Sequence, residues 1–202
     1  MYALVESGTI TKYFNHPKGF TLGELQYPAD IFMKWSVSEK ETIGIYEVVY
    51  DNSNFKDEKW YINTNQSFAF TDGVVTASYG NATPKAHADT LFTAQNETDG
   101  LGTEGEVATR GLKYNLIQTL KSQVANELAR TDWYITRNSE KSTAIPSSIS
   151  NHRDAVRTKQ AAMETQITGA SDTAALEILY TYTEQEDGSV TRPLGELPVL
   201  EL

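Results

Sequence analysis

Histidine, cysteine and paired carboxylates carry much of enzymatic chemistry, and this 202-residue chain arranges none of them for it. His16, His87 and His152 are far apart and make neither an HxH nor an HExxH pattern, so zinc is not expected. There is no cysteine, which excludes disulfides, thiolate metal sites and thiol nucleophiles. Asp57 and Glu58 are adjacent carboxylates, but neighbours on a strand point to opposite faces and cannot share a proton, so a surface turn is expected. A hydrolase would have to rest on such surface carboxylates, with Asp72 as another. Gly100-Leu-Gly102-Thr-Glu-Gly105 has the letters of a dinucleotide fingerprint, but a polar loop precedes it and no second parallel strand is expected after the following helix. No phosphate loop and no Gly-x-Ser-x-Gly elbow occur. The chain is expected to be non-enzymatic, with no cofactor and no metal.

Other residues have the chemistry of recognition. Trp133, Tyr134 and Arg137 follow a long amphipathic segment, and Ile145-Pro146 opens the next. Arg153 and Arg157 are four apart on that second segment and share one face if it is helical. A guanidinium can grip a carboxylate through two parallel hydrogen bonds. Two readings stay open. The five residues form an aromatic and arginine patch for a partner, or Trp133 wedges a helical hairpin whose Arg153 or Arg157 pairs with Asp132 or Glu127. The wedge is preferred for Trp133. His152 falls on or beside an apolar face and is expected to be packed.

The elements that place these residues follow from hydrophobic period. Tyr2 to Glu6 and Thr9 to Phe14 flank Ser7-Gly8 as a hairpin. Ile43 to Tyr50, Lys59 to Asn63 and Ser67 to Thr71 read as strands, and Val74 to Tyr79 follows the turn signal Asp72-Gly73. Ser36 and Glu39 form a capping box for one short helix closed by Gly44. Residues 81 to 105 are rich in Ala, Thr, Asp, Asn and Gly and read as a linker or a long ordered loop. Thr103 and Glu106 look like a second capping box. Leu112, Leu116, Leu120, Val124 and Leu128 then recur every fourth residue, a helical stripe. Trp133 to Arg137 looks extended. Ile149, His152, Val156, Met163 and Ile167 mark the second long helix, closed by Gly169, and Ser171-Asp172 caps a third. Leu116, Leu120 and Val124 are expected to face Val156 and Met163 across an antiparallel hairpin.

The fold class is therefore α+β. An N-terminal antiparallel β-rich module with one short helix spans 1–80, the linker or loop 81–105, an α-helical hairpin module 106–180, and an extended acidic tail 181–202.

Apolar residues make up 39% and charged residues 22%, as in a folded globular chain. Eleven tyrosines and three tryptophans suit sheets and wet interfaces. A net charge of −10 repels nucleic acid and anionic membranes, so neither is an expected partner. The charge is uneven: residues 106–168 hold nine basic against six acidic side chains, and 169–202 hold one against seven. The tail either folds back or reaches a basic partner. No basic stretch followed by an apolar run opens the chain, so no signal peptide is expected.

Leu128-Ala-Arg-Thr-Asp132-Trp133, Ile145-Pro146 and Asn151-His-Arg153-Asp-Ala-Val-Arg157 together resemble the C-terminal module of tailed-bacteriophage tail-fibre assembly chaperones and tail-associated proteins. In that family an Asp-Trp pair follows a helix, and a helix with Arg-x-x-x-Arg comes after a short connection containing proline. Phe20 to Pro28 and Glu39 to Ile45 are similar to segments that precede such modules in predicted phage tail proteins. The resemblance covers about two-thirds of the chain. One position departs from it: His152-Arg153 stands where the family often has Tyr-Arg. The resemblance implies a helical module at residues 106–180 and a protein that holds a tail fibre or neighbouring tail protein in the host cytoplasm during assembly. The alternative it implies is a permanent structural or adaptor component of the virion tail. A homo-oligomer fits either.

Overall fold

The computed structural model describes residues 1–200. The chain is mixed α and β and divides into two compact units, Met1–Thr83 and Pro84–Leu202.

In the first unit, β1 (Tyr2–Glu6) and β2 (Thr9–Phe14) form the expected hairpin. Ser7 and Gly8 both have positive φ, as a tight two-residue hairpin turn requires. A smaller hairpin follows, β3 (Phe20–Leu22) with β4 (Leu25–Tyr27). The capping box of Ser36 and Glu39 is present and starts α2 (Val37–Thr42). A one-turn helix, α1 (Ile31–Lys34), precedes it, so this module has two short helices rather than one. Next come β5 (Ile45–Asp51), the two-residue β6 (Tyr61–Ile62), β7 (Gln66–Thr71), β8 (Val74–Tyr79) and β9 (Thr83–Pro84) at the passage into the second unit.

The main sheet runs in the order β2-β1-β5-β8-β7. Its pairs are antiparallel except β5 with β8, which run parallel from Val48 opposite Val75 to Asp51 opposite Ser78. The module expected to be antiparallel is thus built on a mixed sheet. The physical reason is the route of the chain: after β5 it passes through β6 and β7, and β8 returns in the direction β5 already had. Alternation along β1 sends Leu4 into a cluster with Phe14, Phe20, Ile31, Phe32 and Ile45, and sends Ala3 and Val5 into another with Val48, Val75 and Ala77. Gly44 takes positive φ at the end of α2, where its carbonyl accepts from Val5 N and an added Cβ would strike Val5 O.

The second unit opens in the stretch read as a linker or loop, which is ordered. β10 (Thr90–Leu91) pairs with β11 (Val107–Thr109), and α3 (Ala94–Thr98) lies between them under a capping box of Thr93 and Asn96. The polar composition serves these turns, whose backbone groups are paired locally; Phe92 N donates to Glu106 O and Gly105 N to Phe92 O. The Gly-x-Gly-x-x-Gly letters belong to this closed loop and open onto a strand, not a helix. Residues 107–109 being a strand, α4 begins at Leu112 instead of near Thr103 and runs to Ala129. Gly111 lies against the Ala88 backbone with no room for a side chain, and its N–H donates to Asp89 Oδ1 at 2.7 Å.

α4 packs on α6 (Ser147–Gly169). Leu120 and Val124 of α4 are buried, as are Ile149, His152, Val156, Met163 and Ile167 of α6. Leu116 is half-buried. The helices are antiparallel: Glu127 meets His152 at one end, and Lys113 Nζ donates to Thr168 O at the other. The connection between them contains α5 (Asp132–Lys141), so the segment read as extended is helical. Its Trp-Tyr-Ile-Thr run favours strands in isolation, but the ring of Trp133 and the guanidinium of Arg137 meet at helical spacing.

α7 (Thr173–Tyr180) is capped by Asp172, and Thr173 donates to Lys85 O at 2.6 Å. The tail is not extended. β12 (Thr183–Glu184) pairs with β13 (Val190–Thr191), Leu194 is 1% exposed, and Leu194 N donates to Leu179 O. Burial of Leu194 and the seat of Arg192 over the rings of Tyr180 and Tyr182 draw the segment back onto its own unit. Positions 201 and 202, assigned to the same tail, lie outside the described residues.

Candidate functional site

The corner where α4 gives way to α5 is fastened from α6. Thr131 is buried at the junction, and its N–H and hydroxyl both donate to Leu128 O. Arg153 is only 8% exposed. Its Nη1 donates to Leu128 O and to Thr131 Oγ1, each at 2.7 Å, and lies 2.9 Å from Asp132 Oδ1. One turn back, Glu127 takes a hydrogen bond with the His152 ring at 3.1 Å and a two-oxygen contact from Arg130. The Arg130 hydrogen bonds, outweighing desolvation, hold the Glu127 carboxyl below its ordinary range. Asp132 and Arg153 thus form the pair that the hairpin reading expected.

The same fastening turns Trp133 outward. Trp133 is 52% exposed, so it does not wedge the helices; Thr131 and Arg153 fill the corner instead. Trp133 and Tyr134 have ring centroids 3.9 Å apart. Arg137 lies 4.6 Å from the Trp133 ring and 5.4 Å from that of Tyr134, a cation–π arrangement. No residue of α5 is fully buried.

Of the five residues singled out in the sequence, Trp133, Tyr134 and Arg137 come together on α5. Arg153 is an internal fastener. Arg157 is exposed on α6 and pairs with Asp154 at 3.3 Å. Sequence reasoning missed Thr131, which has no local signal beyond following a helix. It also missed the clamp of Arg110 on Asp89 at 2.6 Å, because the two lie twenty-one residues apart.

Among the described residues no group of three His, Asp or Glu side chains could hold a metal ion, and no helix is long and apolar enough to cross a membrane. Comparisons with protein families, with curated proteins and with solved structures find no match for this chain.

Proposed function

We propose that this protein is a non-enzymatic tail-fibre assembly chaperone or tail accessory protein of a tailed bacteriophage, acting by protein–protein binding in the host cytoplasm during assembly. One observation carries the reading. The Thr-Asp-Trp segment and the Arg-x-x-x-Arg helix, which bear the resemblance, meet at one corner where Arg153 is spent on structure while Trp133 and Arg137 face outward. Trp and Arg are the commonest anchors of protein interfaces, and both need a firm base to act as such. The α5 face supplies the contact, and the α4–α6 pair supplies the base.

Co-expression with the adjacent fibre gene tests the chaperone. Greater fibre solubility or trimer yield is expected, and no change in either removes the claim. Mass spectrometry of purified particles separates the two roles: a stoichiometric copy number in finished virions makes the protein a structural or adaptor component of the tail instead.

A further inference from the structure

Six arginines occur in the chain, and five of them sit against a carboxylate of their own unit: Arg110 on Asp89, Arg130 on Glu127, Arg153 on Asp132, Arg157 on Asp154 and Arg192 on Glu196. Arg137 is the exception. Among the described residues no carboxylate pairs with it and no acceptor takes its hydrogen bonds. Its Nε is buried without a hydrogen-bond partner, while its two Nη groups are not buried. The guanidinium is held in place by the rings of Trp133 and Tyr134, which stabilise a cation and accept no conventional hydrogen bond.

The surroundings make this a cationic stripe on an acidic protein. Trp133, Arg137 and Lys141 follow at intervals of four on one side of α5; Lys141 is exposed, and among the described residues neither it nor the neighbouring exposed Glu140 is in an ion pair. Asp132, which could have neutralised the stripe from its first turn, is engaged by Arg153. Four residues of helix rise about 6 Å, and two residues of extended chain span about 6.6 Å. An extended segment with an apolar side chain, an acid two residues on and another acid two further on would therefore match the stripe step for step.

We infer that the Trp133–Arg137–Lys141 face of α5 binds an acidic, extended segment of a partner protein, with Arg137 gripping a carboxylate through its two Nη groups and Trp133 covering the apolar side chain before it. The inference rests on the proposed function for the existence of a protein partner and names that partner's chemistry. A guanidinium already held against two aromatic rings loses little freedom when a carboxylate arrives, and paired N–H donors match its two oxygens.

The test uses the full chain and a fluorescein-labelled heptapeptide with one leucine and with glutamates two and four residues after it, read by fluorescence anisotropy. Binding that weakens with salt is expected. Arg137→Ala should raise Kd at least tenfold, Arg137→Lys should recover only part of the loss, and Lys141→Ala should have a smaller effect. Circular dichroism of each variant should match the parent, because Arg137 makes no hydrogen bond among the described residues. No binding, equal binding of the peptide with glutamines for glutamates, or an Arg137→Ala variant that binds like the parent would overturn the inference. Co-expression separates the two ideas. Fibre solubility gained equally with parent and Arg137→Ala keeps the chaperone and overturns this site; peptide binding lost in Arg137→Ala without any effect on the fibre keeps the site and removes the chaperone.

Discussion

Arg153 Nη1 stands 2.7 Å from Thr131 Oγ1, and this bond between α6 and the last residue before α5 fixes where the long helix stops. Both residues are buried, whereas Asp132, the third party, has more than half its side chain exposed. The burial difference ranks the variants. Arg153→Ala leaves the Leu128 carbonyl and the Thr131 hydroxyl short of a charged donor and should cost about 1.5–3 kcal/mol. Asp132→Ala removes a solvent-screened ion pair and should cost less than about 1 kcal/mol. Urea unfolding of the two variants checks the order, and equal losses would show that the ion pair rather than the buried bonds holds the corner.

Leu120 is 3% exposed in the α4–α6 core. Leu120→Ala should lower stability by about 2–5 kcal/mol. A loss below about 1 kcal/mol would mean that the α4 stripe is open in solution and serves as a docking face.

Trp133→Ala separates an outward anchor from a packed wedge. The exposed ring of Trp133 predicts a melting temperature close to that of the parent. Fibre binding should weaken by about 2 kcal/mol or more. A melting temperature lowered as far as in Leu120→Ala would return Trp133 to the core.

Asp89 connects acidity to the second unit. The N–H of Gly111, and after it the Arg110 side chain, hold the Asp89 carboxyl below its ordinary range. Because the folded value is the lower one, the group's stabilisation is present above the unfolded value of about 3.9 and is lost as pH falls through the folded value. Asp89→Asn should therefore be less stable than the parent at pH 7, and the gap should narrow at the acid end. A gap that stays constant from pH 7 down to the acid end would place the effect in packing rather than in the charge.

Local patterns told most where the signal was short in range. Ser7-Gly8 and Asp72-Gly73 turn their hairpins, Ser36 and Glu39 cap their helix, and the buried line of α6 is the one its period suggests. The misreadings lie where distant residues decide. Val107–Thr109 is drawn into a strand by Thr90 and Leu91, which removes the first turn expected of α4. Leu194 is buried although its neighbours in sequence are acidic and proline-bearing. Trp133 looked like a wedge because a large apolar ring between two helices favours the core, yet Arg153, twenty residues later, occupies the corner with Thr131. Trp133, Tyr134 and Arg137 were legible as a group from their types. That Arg137 alone lacks a carboxylate among the described residues was not, because pairing is a property of the folded chain.

The parallel seam between β5 and β8 has a kinetic consequence. The hairpins β1–β2 and β7–β8 close through two-residue turns and can form within microseconds. Val48 cannot meet Val75 until more than twenty intervening residues have been looped out, and closing so large a loop carries an entropic cost before any contact rewards it. On a ribosome the β1–β2 ribbon emerges well before β8, so the first unit's sheet has to wait for its far half. β5 also pairs with β1 across a still longer loop, from Leu4 to Ile45, so the late event in its folding is the seating of β5 between two ready-made ribbons.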